Sequence, residues 1–257
     1  MKILAIGDIT GIGGVKHLES NLWRIRDREH IDLTIVNVEN AGFITGPSPD
    51  TAERVLAAGA DVLTGGNHTL RNKAIYSYLD SEPRVLRPLN FGPEAPGEGY
   101  TIVNINGYRV MVVSAMGNVH IEPCLDSPFD HIERALRREE GRYDIALLDI
   151  HAEATGEKMA VAYAFDGRIS AVFGTHTHVQ TADEQILPGG TGYISDLGMC
   201  GETMGILGME PESVVKRMRT HLPIRFEPAQ GKPRADGVII TVDERSRKTT
   251  EIKRISF

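Results

Sequence analysis

The sequence predicts an α/β protein in which two mixed β-sheets are sandwiched between helices, a four-layer α/β/β/α arrangement. Its first half alternates apolar runs with segments of helical periodicity, which is typical of strand–helix units around a largely parallel sheet. From residue 100 onward the chain adds hairpin signals within residues 100–117 and 182–198, and a final antiparallel pair is expected within 237–255. The 257 residues are 41% hydrophobic and contain no repeat or linker. We therefore expect 1–257 to form a single domain with a sizeable core.

Each element of the first half has a local reason. Residues 2–8 form an apolar run of strand length. The segment 15–28 places Leu18, Leu22 and Ile25 at the three- and four-residue spacing of one helix face. The same alternation predicts further strands at 33–40 and 61–67, and further helices at 49–59, where a glycine ends the pattern, and at 72–80.

The pattern changes from residue 100 onward. Asn106-Gly107 joins two strand-like runs and favours a tight hairpin turn. The Pro-Gly-Gly sequence at 188–190 predicts a second hairpin. Between them, we predict a helix at 129–140 and two buried strands at 143–153 and 169–178. Parallel units followed by hairpins favour two packed sheets flanked by helices.

Composition limits the classes of function. A net charge of -7 argues against broad binding of duplex nucleic acid, which normally needs a basic face. The two cysteines, Cys124 and Cys200, form no C-x-x-C pair, which fits a reducing compartment. The N-terminal apolar run is too short for a signal peptide, and no apolar segment approaches membrane-spanning length. We expect a cytoplasmic protein without membrane contact, and a homo-oligomer stays open.

Polar residues follow five of the predicted strands. In open α/β sheets, the loops after the carboxyl ends of the strands converge and bind ligands. Each residue alone has an ordinary explanation as a turn residue, a helix cap or a satisfied core histidine. Five coincidences of residue type and position favour one shared site instead. The residues in question are Asp8, Glu39, Asn40, Asn67, His68, His151, His176 and His178.

The donor chemistry predicts a metal centre. Three histidines, two carboxylates and two asparagines without cysteine suit Mn, Fe or Zn, with Mg also possible. The set is too large for one tetrahedral zinc. It fits two ions, which act as a clamp for displacement at phosphorus and acidify a bridging water to hydroxide. The leaving oxygen needs a proton, and His68, beside Asn67, is the candidate general acid.

The order of these motifs resembles the calcineurin-type metallophosphoesterases and, more narrowly, the YmdB-like family within them. The resemblance covers most of the chain, and its last two segments are specific. The segments that carry it are "GDITG" (7–11), "NVENAG" (37–42), "GGNH" (65–68), "DIHAEATGEK" (149–158) and "GTHTHVQTADEQILPGGTGYISDLGMCG" (174–201).

The resemblance implies a metallophosphoesterase-like fold and an assignment of ligands. It also implies activity on phosphodiesters, with 2',3'-cyclic nucleotides as substrates, at di-iron or manganese centres. One ion would be held by Asp8, Asn40 and His178, the other by Asn67, His151 and His176, with Glu39 bridging. In extended backbone, residues i and i+2 point to the same side. We therefore predict that His176 and His178 face the site and serve different metals, with Thr177 pointing away.

Some positions depart from the family pattern. The general family has D-x-H in its first motif, whereas this chain has Asp8-Ile9-Thr10, and Asn40 would replace the missing imidazole. Leu70 and Arg71 stand where the narrower family has an aromatic residue and an acid, and Gly156 replaces a serine. Arg71 can contact a phosphate or simply begin a solvated helix. For Cys200 we expect only a packing role.

The leading prediction is a dinuclear metal-dependent phosphodiesterase, with hydroxide attack between the metals and His68 as general acid. A phosphomonoesterase or an RNA nuclease on the same metal centre is the alternative within this class. A non-catalytic regulator that binds nucleotide or RNA is the alternative outside it, although pure binding has no need of a general acid such as His68.

Overall fold

Two β-sheets packed face to face form the centre of the molecule, as the sequence predicts. The computed structural model describes residues 1–42 and 45–257. Within these residues, the first sheet has seven strands, β1 (Lys2–Ile6), β2 (Asp8–Ile9), β3 (Leu33–Asn37), β4 (Val62–Thr64), β11 (Met199–Met209), β12 (Pro228–Asp243) and β13 (Lys248–Ser256). Their order is β2-β11-β12-β1-β3-β4, with β13 paired to β12.

The second sheet has six strands in the described part of the chain, β5 (Tyr100–Ile105), β6 (Tyr108–Met116), β7 (Ile145–His151), β8 (Ala171–Thr175), β9 (Gln185–Ile186) and β10 (Gly192–Ile194). Their order is β5-β6-β7-β8-β10-β9. The centre of the sheet is parallel, because β6 pairs with β7 and β7 with β8 in the same direction. Antiparallel pairs at each end, β5 with β6 and β9 with β10, make the sheet mixed.

Helices cover the outer faces of both sheets. They are α1 (Gly11–Glu29), α2 (Pro49–Ala57), α3 (Tyr76–Ser81), α4 (Pro128–Arg138), α5 (Thr155–Ala164) and α6 (Pro211–Thr220). Among the described helices, none combines the length and the apolar character needed to cross a bilayer.

Alternation along the central strands explains the layers. Successive residues of a strand point to opposite faces. In β1, Leu4 and Ile6 therefore pack in the cluster beneath α1, while Ile3 packs in the cluster between the two sheets. In β7, Leu147 faces the other sheet and Leu148 faces α4 and α5. Both faces are covered, so these strands are continuous apolar runs.

The hairpin at residues 100–117 is confirmed. Asn106 and Gly107 have φ angles of 53° and 88°, the positive values that a type I′ turn requires at both central positions. The second predicted hairpin is also present, with β9 and β10 antiparallel. The expected final pair exists as β12 and β13, although β12 begins at Pro228, well before residue 237.

Several boundaries differ from the prediction. β1 ends at Ile6, so Asp8 opens the short strand β2. The strands predicted at 33–40 and 61–67 end at Asn37 and Thr64, because the polar residues that follow turn away into loops. The helix predicted at 72–80 begins as a 3₁₀ turn and continues as α3. Strand β11 and helices α5 and α6 have no counterpart in the prediction.

Candidate metal centre

The predicted donors lie together at one edge of the two sheets. β1, β3 and β4 are parallel to one another in the first sheet, and β6, β7 and β8 are parallel in the second. Their carboxyl ends meet at this edge, as they do in other open α/β sheets. Each of the eight predicted site residues lies within hydrogen-bonding distance of at least one other member of the set.

One group of donors forms around His151. Its Nε2 atom lies 3.0 Å from Asn67 Oδ1 and 3.1 Å from His176 Nδ1. The two imidazole rings meet edge to face, with centroids 4.8 Å apart. His151 is fully buried and Asn67 half-buried. These three atoms form the compact group that the predicted second metal requires.

Hydrogen bonds outside this group identify the bare nitrogen of each ring. His151 Nδ1 lies 3.0 Å from Thr175 Oγ1, whose own proton goes to a carboxylate, so the imidazole donates through Nδ1 and leaves Nε2 without hydrogen. His176 Nε2 lies 3.2 Å from Glu153 Oε2 and donates there, which leaves Nδ1 bare. Burial lowers the pKa of both His151 and His176, in keeping with neutral rings. Two bare nitrogens and an amide oxygen therefore face one point, an arrangement that calls for a cation.

The second group lies around Asp8 and Glu39. Ligand atoms of Asp8, Glu39 and His178 all lie within 4.8 Å of one another. His178 Nδ1 donates to the carbonyl oxygen of Leu207 at 3.1 Å, which leaves Nε2 bare and directed at Asn40. Glu39 Oε2 is 4.0 Å from His151 Nε2, so this carboxylate lies between the two groups. That position is the one predicted for a bridging ligand.

Asp8 supplies an independent indication of a cation. Its Oδ2 atom accepts a hydrogen bond from the backbone N–H of His176 at 2.9 Å. Its Oδ1 atom is buried and has no hydrogen-bond partner within residues 1–42 and 45–257. Burial raises the pKa of Asp8 well above its usual range, and the nearby charges of Glu39 and Asp196 raise it further. A carboxylate in this position is costly unless a positive charge compensates it.

The amide of Asn40 contacts both histidines of its neighbourhood. Its Nδ2 group lies 3.2 Å from His178 Nε2 and also donates to Glu39, while its Oδ1 atom lies 2.7 Å from His68 Nδ1. A metal binds the amide oxygen, so ligation by Asn40 requires its amide to turn over. Either orientation keeps the amide within hydrogen-bonding distance of His68.

His68 lies at the edge of the second group. Its Nδ1 is 3.1 Å from Glu39 Oε2, and its backbone N–H donates to the same oxygen at 3.0 Å. The side chain is 16% exposed, so the ring is anchored at Nδ1 while part of it reaches solvent. A general acid needs this combination of a fixed ring and an accessible proton.

His176 and His178 do not lie in extended backbone, so the prediction from strand alternation is wrong. β8 ends at Thr175, and His176 and His178 have positive φ angles of 104° and 63° in place of extended values. The two rings nevertheless point into the site, and they join different groups, His176 beside His151 and His178 beside Asn40. The division of the pair between two metals stays a prediction, and strand alternation is not its physical basis.

Gly66 gives His151 its space. A Cβ atom at this position would lie 2.3 Å from His151 Nε2, far inside van der Waals contact. The second glycine of the "GGNH" segment therefore lets the backbone pass against the imidazole.

Beneath the centre lies a buried carboxylate, Asp149, that is not among the predicted site residues. Asp149 accepts hydrogen bonds from Thr175 Oγ1 at 2.7 Å, Thr64 Oγ1 at 2.5 Å and Asn37 Nδ2 at 2.9 Å. Thr64 and Asn37 belong to the first sheet, whereas Asp149 and Thr175 belong to the second. Through Thr175, the carboxylate fixes the ring of His151. Burial raises the pKa of Asp149 to about 6, against the effect of these hydrogen bonds. The available signal was a charged residue inside the apolar run of β7.

An ion pair that was not predicted, Lys158 with Asp196, holds the loop that carries His176 and His178. Lys158 Nζ and Asp196 Oδ2 are 2.8 Å apart, and both side chains are fully buried. Lys158 also donates to the carbonyl oxygen of Thr175 at 2.8 Å, and Asp196 accepts from the backbone N–H of Thr177 at 3.0 Å. The loop is thus fixed on both sides of His176. Lys158 and Asp196 lie within the family-like segments, but their spacing alone gave no indication of this pairing.

The donor set fits divalent cations. Two ligands bound to one ion at about 2.1 Å lie about 3 Å apart when they bind at right angles, and the separations within the His151 group are 3.0 and 3.1 Å. Nitrogen and oxygen donors without a thiolate suit Mn, Fe, Zn or Mg. Cys200, by contrast, is buried in the core beneath α1 and its Sγ contacts Gly14 O at 3.5 Å. This agrees with the packing role expected of it.

The four-layer fold, with histidine, carboxylate and amide donors at the carboxyl ends of its strands, defines a protein of the metallophosphoesterase type. A 5'-nucleotidase precursor from Thermus thermophilus shares the fold alone, with a TM-score of 0.56 at 11% identity over 100% of this chain and 54% of that one. The family model described as YmdB-like protein matches residues 4–255. The chain belongs to this YmdB-like family, and the predictions of family and fold are confirmed.

Three relatives illustrate the similarity. The 2',3'-cyclic-nucleotide 2'-phosphodiesterase of Bacillus subtilis (strain 168) is 42% identical over 99% of this chain and 96% of its own length. The crystal structure of a hypothetical protein from Thermus thermophilus has a TM-score of 0.94 at 39% identity, covering 100% of this chain and 99% of that one. That of a novel phosphatase from Mycoplasma pneumoniae has a TM-score of 0.92 at 30% identity, with 100% and 93% covered.

Proposed function

We propose that this protein is a dinuclear metal-dependent phosphodiesterase that opens nucleoside 2',3'-cyclic phosphates. The observation that carries the proposal is the convergence of bare acceptor atoms in two adjacent groups, with His68 anchored beside them. The activity named for the Bacillus subtilis relative, which is similar over nearly the whole chain, supports the substrate class.

The side chains divide into ligands and a proton donor. Asp8, Asn40 and His178 would hold one ion, and Glu39 would bridge to the other, held by the group around His151. Two divalent ions, when bound, neutralise the phosphate oxygens and acidify a water. The polypeptide contributes fixed tautomers, because Thr175 and Leu207 accept the Nδ1 protons of their histidines and leave each Nε2 free for ligation.

His68 completes the reaction. Hydrolysis joins a water oxygen to phosphorus and breaks the bond between phosphorus and one ribose oxygen. The departing ribose oxygen takes a proton, and His68 is placed to donate it, with Nδ1 held by Asn40 and Glu39. A positioned general acid contributes about 10²–10⁴-fold to such a step.

The test combines metal analysis of the native protein with a substrate panel. We expect two metal ions per chain and turnover of a 2',3'-cyclic nucleotide in preference to a phosphomonoester or single-stranded RNA. His68→Ala should retain the metals and lose about 10²–10⁴-fold in kcat. His131→Ala, which removes a histidine of α4 outside the site, is the matched control and should retain full activity.

Other outcomes would point elsewhere. One metal per chain would contradict the two-ion arrangement, and full activity of His68→Ala would remove this residue from the mechanism. Preference for the monoester or the RNA would favour a phosphomonoesterase or a nuclease, and tight nucleotide binding without product would favour a regulator. The metal analysis also tests the preference for iron or manganese. The cytoplasmic location and the single-domain organisation stay predictions.

A further inference from the structure

A cleft of about 600 Å³ opens beside the metal centre. Its volume lies in the range of small-molecule binding sites. Asn67, which contacts His151, forms one wall and links the cleft to the proposed ligands. The lining residues are Asn67, Leu70, Arg71, Phe91, Glu122, Pro123 and Cys124.

Two side chains of the cleft, those of Arg71 and Phe91, are available to bind a ligand. Arg71 is exposed, and its guanidinium makes no ion pair or hydrogen bond with any residue that the structure describes. Phe91 is half-buried, and its ring has no aromatic or cationic partner within the described part of the chain. A free cation and a free ring beside a phosphate-binding centre suit an anionic substrate that carries a base.

A second cleft, of about 580 Å³, lies beside Ala41, and its arginine and phenylalanine already have interaction partners. These two residues are Arg225 and Phe226. The ring of Phe226 is already covered by the guanidinium of Arg217 at 5.0 Å, and Arg225 lies 4.0 Å from Glu227. None of the proposed metal ligands lines this cleft. The first cleft is therefore the better nucleoside site.

We propose that the cleft beside Asn67 binds the nucleoside part of the substrate, with the base stacked on Phe91 and a phosphate oxygen paired with Arg71. This inference rests on the proposed function and assigns the site of base recognition within it. It also resolves the open role of Arg71 in favour of phosphate contact. Stacking on an aromatic ring tolerates different bases, so the preference is for nucleosides as a class.

The test compares adenosine 2',3'-cyclic phosphate with ribose 2,3-cyclic phosphate, which has the same reacting bond and no base. Phe91→Leu should lower the ratio of kcat/KM between the two substrates about tenfold. Arg71→Gln should lower kcat/KM for both about tenfold and leave the ratio unchanged. Phe226→Leu is the matched control in the second cleft and should leave the ratio unchanged. Thermal unfolding checks that each variant is folded.

Binding of adenosine 3'-monophosphate, measured by calorimetry on the metal-loaded protein, separates the two hypotheses. If the wild-type protein turns over neither cyclic phosphate, the proposed function fails, and a Kd unchanged by Phe91→Leu would overturn the cleft as well. If both substrates react but Phe91→Leu keeps the wild-type ratio, the cleft assignment is wrong and the proposed function stands. If Phe226→Leu instead lowers the ratio of kcat/KM between the two substrates, the base binds in the second cleft, and the inference is equally overturned.

Discussion

Replacement of Thr175 by valine tests whether the buried network controls the metal centre. The hydroxyl of Thr175 donates to Asp149 Oδ1 at 2.7 Å and lies 3.0 Å from His151 Nδ1. Valine has nearly the same shape and is well accepted in a strand, so the change removes these hydrogen bonds with little change in packing. All three residues are fully buried, and water cannot easily replace the lost partner.

The expected cost follows from the groups left behind. A buried polar group without its partner costs about 1–3 kcal/mol. Thr175→Val affects two such groups, on Asp149 and His151, and also removes a longer hydrogen bond from Asn37 Nδ2 at 3.3 Å. Asp149 keeps its hydrogen bonds from Thr64 and Asn37, so we expect a total of about 2–4 kcal/mol. The ring of His151 also loses the acceptor that fixes its orientation. Loss of such an outer partner typically lowers metal affinity about 10–100-fold.

Two measurements check the prediction, and one variant controls it. Urea denaturation with chelator present gives the free energy of unfolding of the metal-free protein, and calorimetric titration with Mn²⁺ gives the affinity. Thr34→Val is the control, because Thr34 is equally buried in β3 but its hydroxyl has no hydrogen-bond partner within residues 1–42 and 45–257. That variant should be as stable as the wild type or slightly more stable.

A Thr175→Val protein with the stability and Mn²⁺ affinity of Thr34→Val would refute the reasoning. It would mean that His151 is held by its packing alone. A loss of stability without a loss of affinity would restrict the network to a structural role.

Two further substitutions and one thiol titration have simple expected results. Gly66→Ala should reduce the metal content from two ions to one, as measured by elemental analysis, because its Cβ would lie 2.3 Å from His151 Nε2. Lys158→Met should destabilise the protein by about 3–5 kcal/mol in urea denaturation, because it leaves its buried aspartate partner without a counter-charge. Thiol titration should detect only Cys124 in the native protein and both cysteines in guanidinium, since burial raises the pKa of Cys200 and blocks access to it. Equal thiol counts in both conditions, two ions bound to Gly66→Ala, or wild-type stability of Lys158→Met would each contradict the corresponding structural reading.

Local pattern in the sequence determined much of the fold. Apolar runs and helical spacing depend on nearest neighbours, and they predicted the central strands, α1, α2, α4 and the Asn106-Gly107 hairpin. The donor set was also visible, because polar residues directly follow strands and parallel strands bring their ends together. Family membership followed from the same segments.

The tertiary structure alone decided how those donors are held. Asn37 and Asp149 are 112 positions apart, and only the packing of one sheet on the other shows that they are hydrogen-bonded. Strand β11 was not predicted, because bulges interrupt its pairing with β12. Its residues therefore do not alternate regularly between buried and exposed. Yet this strand supplies the carbonyl oxygen of Leu207, which orients His178. Sequence pattern specified which atoms are available to a metal, whereas contacts between distant segments fixed the direction of each lone pair. Hydrogen bonds between residues far apart in the sequence leave no periodic signal in the chain, so only the tertiary structure shows them.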